Sequence, residues 1–257
     1  MLNLLKNTLW KTIIAGLVVS TAGNSIAQAQ SGPGCNEDAM LIFDGSGSMA
    51  EVGFNGLDLP RIMSARQAMR RSIPNITPFR RLGLMVYGAS KDGELGCKNI
   101  TLHFPPIPEA SNRVLNTLER LAPSGATPLT QSVLQAARVL DYENKPGVVV
   151  VITDGQENCG GLPCQLASKF AATAFQLTVH VIGFQVRGDF FSWQNQYSGT
   201  SQYSNGNTVA RCLADQTGGH YVSTETVDEL TAALQKTLGC AVVGQTNRSS
   251  DRTRHPS

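Results

Sequence analysis

Six short apolar runs constrain the fold of this 257-residue chain more than any other feature. Each has the length of a strand, and several are apolar throughout, as strands covered on both faces are. The predicted strands are residues 39–43, 82–87, 100–104, 148–152, 177–182 and 220–222. Strands that alternate with helices indicate a mainly parallel sheet. We therefore predict an α/β fold with a doubly wound, open, twisted sheet and helices on both faces.

Amphipathic segments between the runs predict the helices. They begin at Pro60 and at Thr127-Pro128, and they cover residues 112–121, 165–175, 209–216 and 227–238. One connection has no helical pattern, because only a polar loop with Gly93 and Gly96 separates the second run from the third. Such a loop is typical of an antiparallel hairpin. We therefore expect one antiparallel strand at the edge of the sheet.

The first 29 residues predict a secretory signal peptide. A basic start precedes an apolar stretch over residues 12–20, and small residues end in the cleavage pattern Ala27-Gln28-Ala29. The apolar stretch is well short of the ~20 residues that a membrane anchor needs. We therefore expect a secreted or periplasmic protein, with one domain over residues 30–240 and a disordered polar tail over residues 241–257.

The charge of the chain gives no reason to propose a nucleic acid or a membrane as partner. The chain has 21 Lys and Arg against 19 Asp and Glu, and cleavage of the signal peptide would remove Lys6 and Lys11 but no acidic residue. The remaining chain is neutral and has no general attraction for polyanions or anionic lipids. We expect no nucleic-acid partner and no stable membrane insertion after cleavage.

The cysteines predict three disulfides. All six lie beyond the signal peptide, at positions 35, 97, 159, 164, 212 and 240. An even number in an exported chain favours disulfides, although six cysteines allow 15 connectivities. Cys35 and Cys240 bracket the domain, so we predict that they are linked. For the other four we predict Cys159–Cys164, which leaves Cys97 with Cys212, and the crossed pairings remain the alternative.

The first strand ends abruptly in one carboxylate and two hydroxyls, those of Asp44, Ser46 and Ser48. Glycines at positions 45 and 47 let the loop curl, so that the three oxygens converge. Oxygen ligands in small number suit Mg²⁺, Mn²⁺ or Ca²⁺ better than zinc. One carboxylate leaves such an ion incompletely neutralised, and the ion can accept an acidic group from outside. We therefore predict a divalent-cation site here, with Mg²⁺ as the favoured ion.

Two more motifs accompany this one. Ser124-Gly125-Ala126-Thr127-Pro128-Leu129 precedes a helix, and Val151-Ile152-Thr153-Asp154-Gly155 follows the fourth strand. Together the three motifs resemble the metal-ion-dependent adhesion site of von Willebrand factor A-type domains. The resemblance covers about residues 36–240 and is strongest to bacterial exported members of that family.

The resemblance implies a role for five residues. Asp44, Ser46 and Ser48 would hold the cation. Thr127 would coordinate it when a ligand is engaged, and Asp154 would bind it directly or through water. A partner protein would supply a Glu or Asp carboxylate as the missing ligand. This implies a protein that binds other proteins and has no enzymatic activity.

Each of these residues also has an ordinary structural interpretation. Thr127 before Pro128 is typical of a helix N-cap, and Asp154-Gly155 is typical of a turn. The two serines could satisfy loop amides. The run Gly45-x-Gly47-x-x-Ala50 mimics a dinucleotide-binding fingerprint, but there Asp44 would face a pyrophosphate. The coincidence of five oxygen donors at one edge of one sheet favours the cation.

Two rival functions remain open at this stage. The first is a metal-assisted hydrolase, in which Glu157 would be the candidate general base. The second is a structural scaffold subunit, in which the ion would only stabilise the fold.

A long loop over residues 185–207 contains five aromatic residues and follows the fifth strand. It is either a specificity element beside the metal or a self-packed Ω-loop.

Overall fold

Six strands form one sheet in the order β3-β2-β1-β4-β5-β6. They are β1 Asp38–Gly45, β2 Leu82–Gly88, β3 Ile100–Ile107, β4 Pro146–Thr153, β5 Gln176–Phe184 and β6 Tyr221–Thr224. Every neighbouring pair is parallel except β2 and β3, which are antiparallel. The predicted sheet, mainly parallel with one antiparallel edge strand, is confirmed.

The structure is a computed structural model that describes residues 35, 37–52, 59–89, 96–155, 157–186 and 206–240, without the side chains of residues 206–209. The predicted signal peptide, the polar tail and the aromatic loop beyond Val186 lie outside the described residues, so those three expectations stay predictions. Within the described ranges, no helix combines the length and the apolar character that crossing a bilayer requires.

Helices cover both faces of the sheet. They are α1 Arg61–Ile76, α2 Ser111–Glu119, α3 Leu129–Val139, α4 Pro163–Thr173, α5 Gly206–Gln216 and α6 Val227–Leu238. Alternate residues of β1 face opposite ways, and Leu41 and Phe43 pack in the core under α1, α2 and α6. Met40 and Ile42 pack in the core under α3, α4 and α5. The doubly wound α/β fold is therefore confirmed.

The strand order places a crevice between β1 and β4. From β1 the chain builds outward through β2 and β3, and from β4 it builds in the opposite direction through β5 and β6. Ligands of open α/β sheets collect at the carboxyl ends of strands where the order reverses. Asp44 and Asp154 lie at this point, one at the end of β1 and the other directly after β4.

Three disulfides form, and one of the predicted pairs is correct. Cys35–Cys240 is present, as expected, but the other pairs are Cys97–Cys159 and Cys164–Cys212. The predicted Cys159–Cys164 and Cys97–Cys212 pairs are wrong. Pro163 starts α4 instead of closing a tight loop, so Cys164 belongs to a helix that packs against the helix of Cys212. Connectivity thus depended on the packing of two helices.

Candidate metal centre

Asp44 is fully buried at the end of β1, and three donors fix its carboxylate. The Ser46 backbone N–H donates to Oδ1 at 2.8 Å, and the hydroxyls of Tyr87 and Thr153 donate to Oδ2 at 2.8 and 2.7 Å. Burial and the charge of Asp44 raise the pKa of Tyr87 well above its usual value, so that its hydroxyl stays a donor. Since a carboxylate has about four acceptor positions, Asp44 can still meet a cation.

The two serines connect β1 to the loop after β4. Ser46 Oγ lies 3.0 Å from Ser48 Oγ, and Ser48 Oγ donates to Asp154 Oδ1 at 2.7 Å. An octahedral Mg²⁺ shell with bonds of 2.0–2.1 Å places adjacent oxygens about 2.9 Å apart. The spacing of these three side chains therefore suits adjacent ligands of one Mg²⁺ ion.

Thr127 is 3% exposed and lies near Gly155 of the loop after β4. A Cβ atom placed on Gly155 would be 3.7 Å from Ser48 Oγ and 4.0 Å from Thr127 Oγ1, so both hydroxyls flank one backbone position. The N-cap of α3 is Pro128 and not Thr127, and the residue at the N-cap makes no side-chain hydrogen bond to this helix. The interpretation of Thr127 as an N-cap is therefore wrong, and its hydroxyl has no capping role.

Backbone hydrogen bonds hold the loops of the site together. Gly47 N–H donates to Gly125 O at 3.1 Å, and Gly45 O accepts from Ser124 N–H and Ala89 N–H, each at 2.8 Å. Gly88 has φ +71°, and a Cβ atom there would lie 2.6 Å from the backbone of the β1 loop. Glycine is required at this position because both the close approach and the left-handed backbone exclude a side chain.

Sequence reasoning missed Arg61, the buried arginine of the site. Its side chain is 1% exposed, and Nη1 donates to Ser48 O at 2.9 Å and to Asp154 Oδ2 at 3.2 Å. Nε and Nη2 of Arg61 are buried without a hydrogen-bond partner within the described part of the chain. Glu51 Oε2 lies 3.4 Å from Nη1 and is partly exposed. Arg61 thus pairs incompletely with the acidic group it neutralises.

The site retains excess negative potential around Asp154. Burial and the negative charge of Asp44 raise the pKa of Asp154 to about 7, against the opposing effects of the Ser48 hydrogen bond and Arg61. In a buried site of low dielectric, two neighbouring carboxyl groups do not readily ionise together unless a cation lies nearby. The donor set, two carboxylates and three hydroxyls, therefore fits a hard divalent cation.

This donor set is poor in the ligands of structural zinc sites. Across the described ranges, no three His, Cys, Asp or Glu side chains form a group that could hold a metal. Structural zinc sites use four Cys or His ligands. A cation at this edge would instead be bound mainly by hydroxyl and carboxylate oxygens. The five predicted ligands lie at this edge, and their role as ligands stays a prediction.

Glu157 does not have the environment expected of a general base. Its Oε2 accepts from Thr130 N–H at 2.7 Å and its Oε1 accepts from Cys159 N–H at 2.8 Å. The carboxylate therefore lies at the first turn of α3, where negative charge is favourable. The neighbouring Asn158 Oδ1 accepts from Thr127 N–H at 2.7 Å. Both residues position the Thr127 loop.

The residues that sequence reasoning missed gave weak signals. Thr153 stands beside Asp154 in its motif, and its position at the end of a strand could have marked it. Tyr87 is the last side chain of β2, where an aromatic residue is common for packing alone. Arg61 follows the helix-opening Pro60 and looks like a solvent-exposed charge. Its burial is a property of the tertiary structure.

Residues 39–156 match the family model described as von Willebrand factor type A domain. Uncharacterized protein YwmD of Bacillus subtilis strain 168 is 26% identical over 241 residues, which are 90% of this chain and 97% of that protein. The relative therefore extends over nearly the same length as this chain.

Solved structures share the fold. The pilus adhesin SpaC from Lactobacillus rhamnosus GG has a TM-score of 0.54 at 15% identity, over 80% of this chain and 31% of the adhesin. Proximal thread matrix protein 1 from the mussel byssus, with a zinc-occupied MIDAS motif, has a TM-score of 0.51 at 16% identity. That match covers 82% of this chain and 49% of the byssus protein, so this chain spans half or less of either solved protein. Residues 39–156 thus match the von Willebrand factor type A domain, and the sheet and helices of the described chain have the fold of that domain.

Proposed function

We propose that this protein is exported and binds a partner protein through a divalent cation, without catalysing a reaction. The cation ligands would be Asp44, Ser46, Ser48, Thr127 and Asp154. The partner would supply a Glu or Asp carboxylate as a further ligand. One observation carries this proposal: oxygen donors from three separate segments meet at the carboxyl edge where the strand order reverses.

The charges of the site favour capture of a carboxylate. Arg61 offsets part of the charge of Asp154, so a divalent ion here would keep some positive charge towards solvent. An incoming carboxylate would form a charge-assisted contact in one direction. Mg²⁺ fits the spacing of the hydroxyls, while Mn²⁺ and Ca²⁺ are the alternatives. The zinc-occupied motif in the byssus protein supports a cation at this position in the fold.

Export is supported by the three disulfides, because such bonds persist in oxidising compartments. The pilus adhesin that shares the fold is consistent with a role outside the cytoplasm. The hydrolase alternative is disfavoured, since Glu157 accepts two backbone amides at the start of α3. The scaffold alternative predicts partner binding that survives removal of the cation.

The test compares cation binding with partner binding. Asp44→Ala should abolish Mg²⁺ binding in calorimetry, and unchanged affinity would refute the site. Thr127→Ala should weaken partner capture more than cation binding, and it should change stability little, because the hydroxyl does not cap α3. Thr130→Ala is the matched control, since its buried hydroxyl has no partner within the described part of the chain.

Partner capture can be measured before the partner is known. The protein is used as bait in an envelope extract, once with Mg²⁺ and once with EDTA. Bands that EDTA removes, and that Asp44→Ala also loses, are the expected result. A partner that stays bound in EDTA and to Asp44→Ala would favour the scaffold alternative.

A further inference from the structure

A basic cleft lies beside the candidate metal centre. It runs between α2 and β3 and has two lobes, of about 330 and 280 Å³, which share His103 and Arg120. Its walls include Gly88, Ala89, His103, Phe104, Arg113 and Arg120, and we call it the α2–β3 cleft. No Asp or Glu of the described chain lines either lobe. The cleft therefore presents only neutral and basic side chains.

The two arginines of this cleft are spaced along one face of α2 and its C-terminal end. Arg113 and Arg120 are seven residues apart, which is two helical turns and about 10 Å along the axis. The Arg113 guanidinium lies over the Phe104 ring, 4.6 Å from its centroid, and this contact holds it at the cleft. Within the described chain, neither arginine has a salt-bridge partner.

Two other exposed arginines differ in this respect. Arg70 pairs with Glu119, and Arg71 pairs with Asp228. Arg113 and Arg120 are thus available to bind anionic groups from another molecule. Their spacing of about 10 Å is close to the ~9 Å that three residues span in an extended polyproline II segment, in which side chains three residues apart lie on the same side.

The cleft is continuous with the candidate metal centre. Gly88 and Ala89 line its first lobe, and the same two residues contact the loop after β1. Ala89 N–H donates to Gly45 O at 2.8 Å and to Ser124 O at 2.9 Å. The first lobe of the cleft therefore borders the backbone that supports the loop of the candidate centre.

We propose that the α2–β3 cleft binds an extended acidic segment of the same partner protein, with carboxylates three residues apart on Arg120 and Arg113. This inference rests on the proposed function, because another carboxylate of that partner would complete the cation shell. The cation would then fix one end of the segment, and the arginines would select partners whose sequence continues with correctly spaced acidic residues.

The probe is a labelled peptide with glutamates at every third position, Glu-Ser-Gly-Glu-Ser-Gly-Glu, followed by fluorescence anisotropy in Mg²⁺. The Arg113→Ala/Arg120→Ala variant should bind it about tenfold more weakly, because it lacks both exposed charge contacts. Arg71→Ala/Arg138→Ala removes the same charge elsewhere and should bind as the parent does. A peptide with its three glutamates adjacent should bind the parent more weakly than the spaced peptide.

The outcomes separate this inference from the proposed function. If Asp44→Ala or EDTA leaves binding unchanged while the cleft variant loses it, the cleft proposal stands and the cation proposal fails. If EDTA abolishes binding and the cleft variant matches the parent, the cleft proposal is overturned and the cation proposal stands. No measurable binding to the parent, or equal binding of the two peptides, would also overturn the cleft proposal.

Discussion

The two edges of the sheet bury polar groups in different ways. At the carboxyl edge, Asp44 and Asp154 are bound by hydroxyls and by one buried guanidinium, that of Arg61. At the amino edge, His180 is 9% exposed. Its pKa is lowered to about 4, mainly by burial and to a smaller extent by the nearby positive groups of His220, Arg80 and Lys236. The amino edge buries the neutral His180 beside one arginine, Arg80, whereas the carboxyl edge buries two carboxylates beside Arg61. Among the described residues, the buried carboxylates thus lie where a bound ion could use them.

The largest effect is expected from a substitution that removes the buried positive charge at the carboxyl edge. Arg61→Met should destabilise the cation-free protein by about 3–5 kcal/mol, because removal of one partner leaves buried carboxylates uncompensated. Urea unfolding in EDTA measures this loss, and Mg²⁺ should recover part of it. Arg71→Met is the control, since its exposed pair with Asp228 should contribute less than ~1 kcal/mol. Equal losses in the two variants would mean that Arg61 does not balance the acids.

The next effect is expected at the amino edge and should leave the carboxyl edge unchanged. The bond between Cys35 and Cys240 closes a separation of 205 residues. Replacing both cysteines by serine should lower the free energy of unfolding by about 2–4 kcal/mol, through the greater entropy of the unfolded chain. Calorimetry should find Mg²⁺ affinity unchanged. A loss of affinity as large as that of Asp44→Ala would show that the two edges are coupled.

The smallest effect is a pH dependence carried by His180. Its folded pKa of about 4 is below the unfolded value near 6.5, so the unfolded state takes up the proton first. The contribution of His180 is fully present above pH 6.5 and is lost as pH falls towards 4. We expect a loss of about 1–2 kcal/mol between pH 7 and pH 5, after allowance for partial solvation.

His180→Asn tests this dependence because its amide oxygen can replace Nδ1, which accepts from His220 N–H at 3.0 Å. The variant should unfold in urea with a shallower pH dependence than the parent. His103→Asn is the control, and the pH dependence of its unfolding free energy should stay closer to that of the parent than the pH dependence of His180→Asn does. A His180→Asn slope identical to that of the parent would contradict the assignment.

Local signals account for what could be predicted from the sequence. The strands were found because apolar runs are contiguous, and Asp44 was found because an acid ends such a run. Arg61 could not be found, since nothing near it in the sequence distinguishes a buried arginine from the exposed Arg70. Cys164 and Cys212 could not be paired, because their contact depends on how α4 packs against α5.

The Cys97–Cys159 bond has a consequence for the timing of activity. Cys97 precedes Asn99, whose side chain donates to Gly88 O at 2.7 Å, and Cys159 follows Asn158, which accepts from Thr127 N–H. The bond therefore ties together the two segments that support opposite sides of the candidate centre. A newly made chain is reduced until it reaches an oxidising compartment. On the export route proposed above, oxidation would complete the site, and binding of the proposed partner would begin only after the protein has left the compartment of its synthesis.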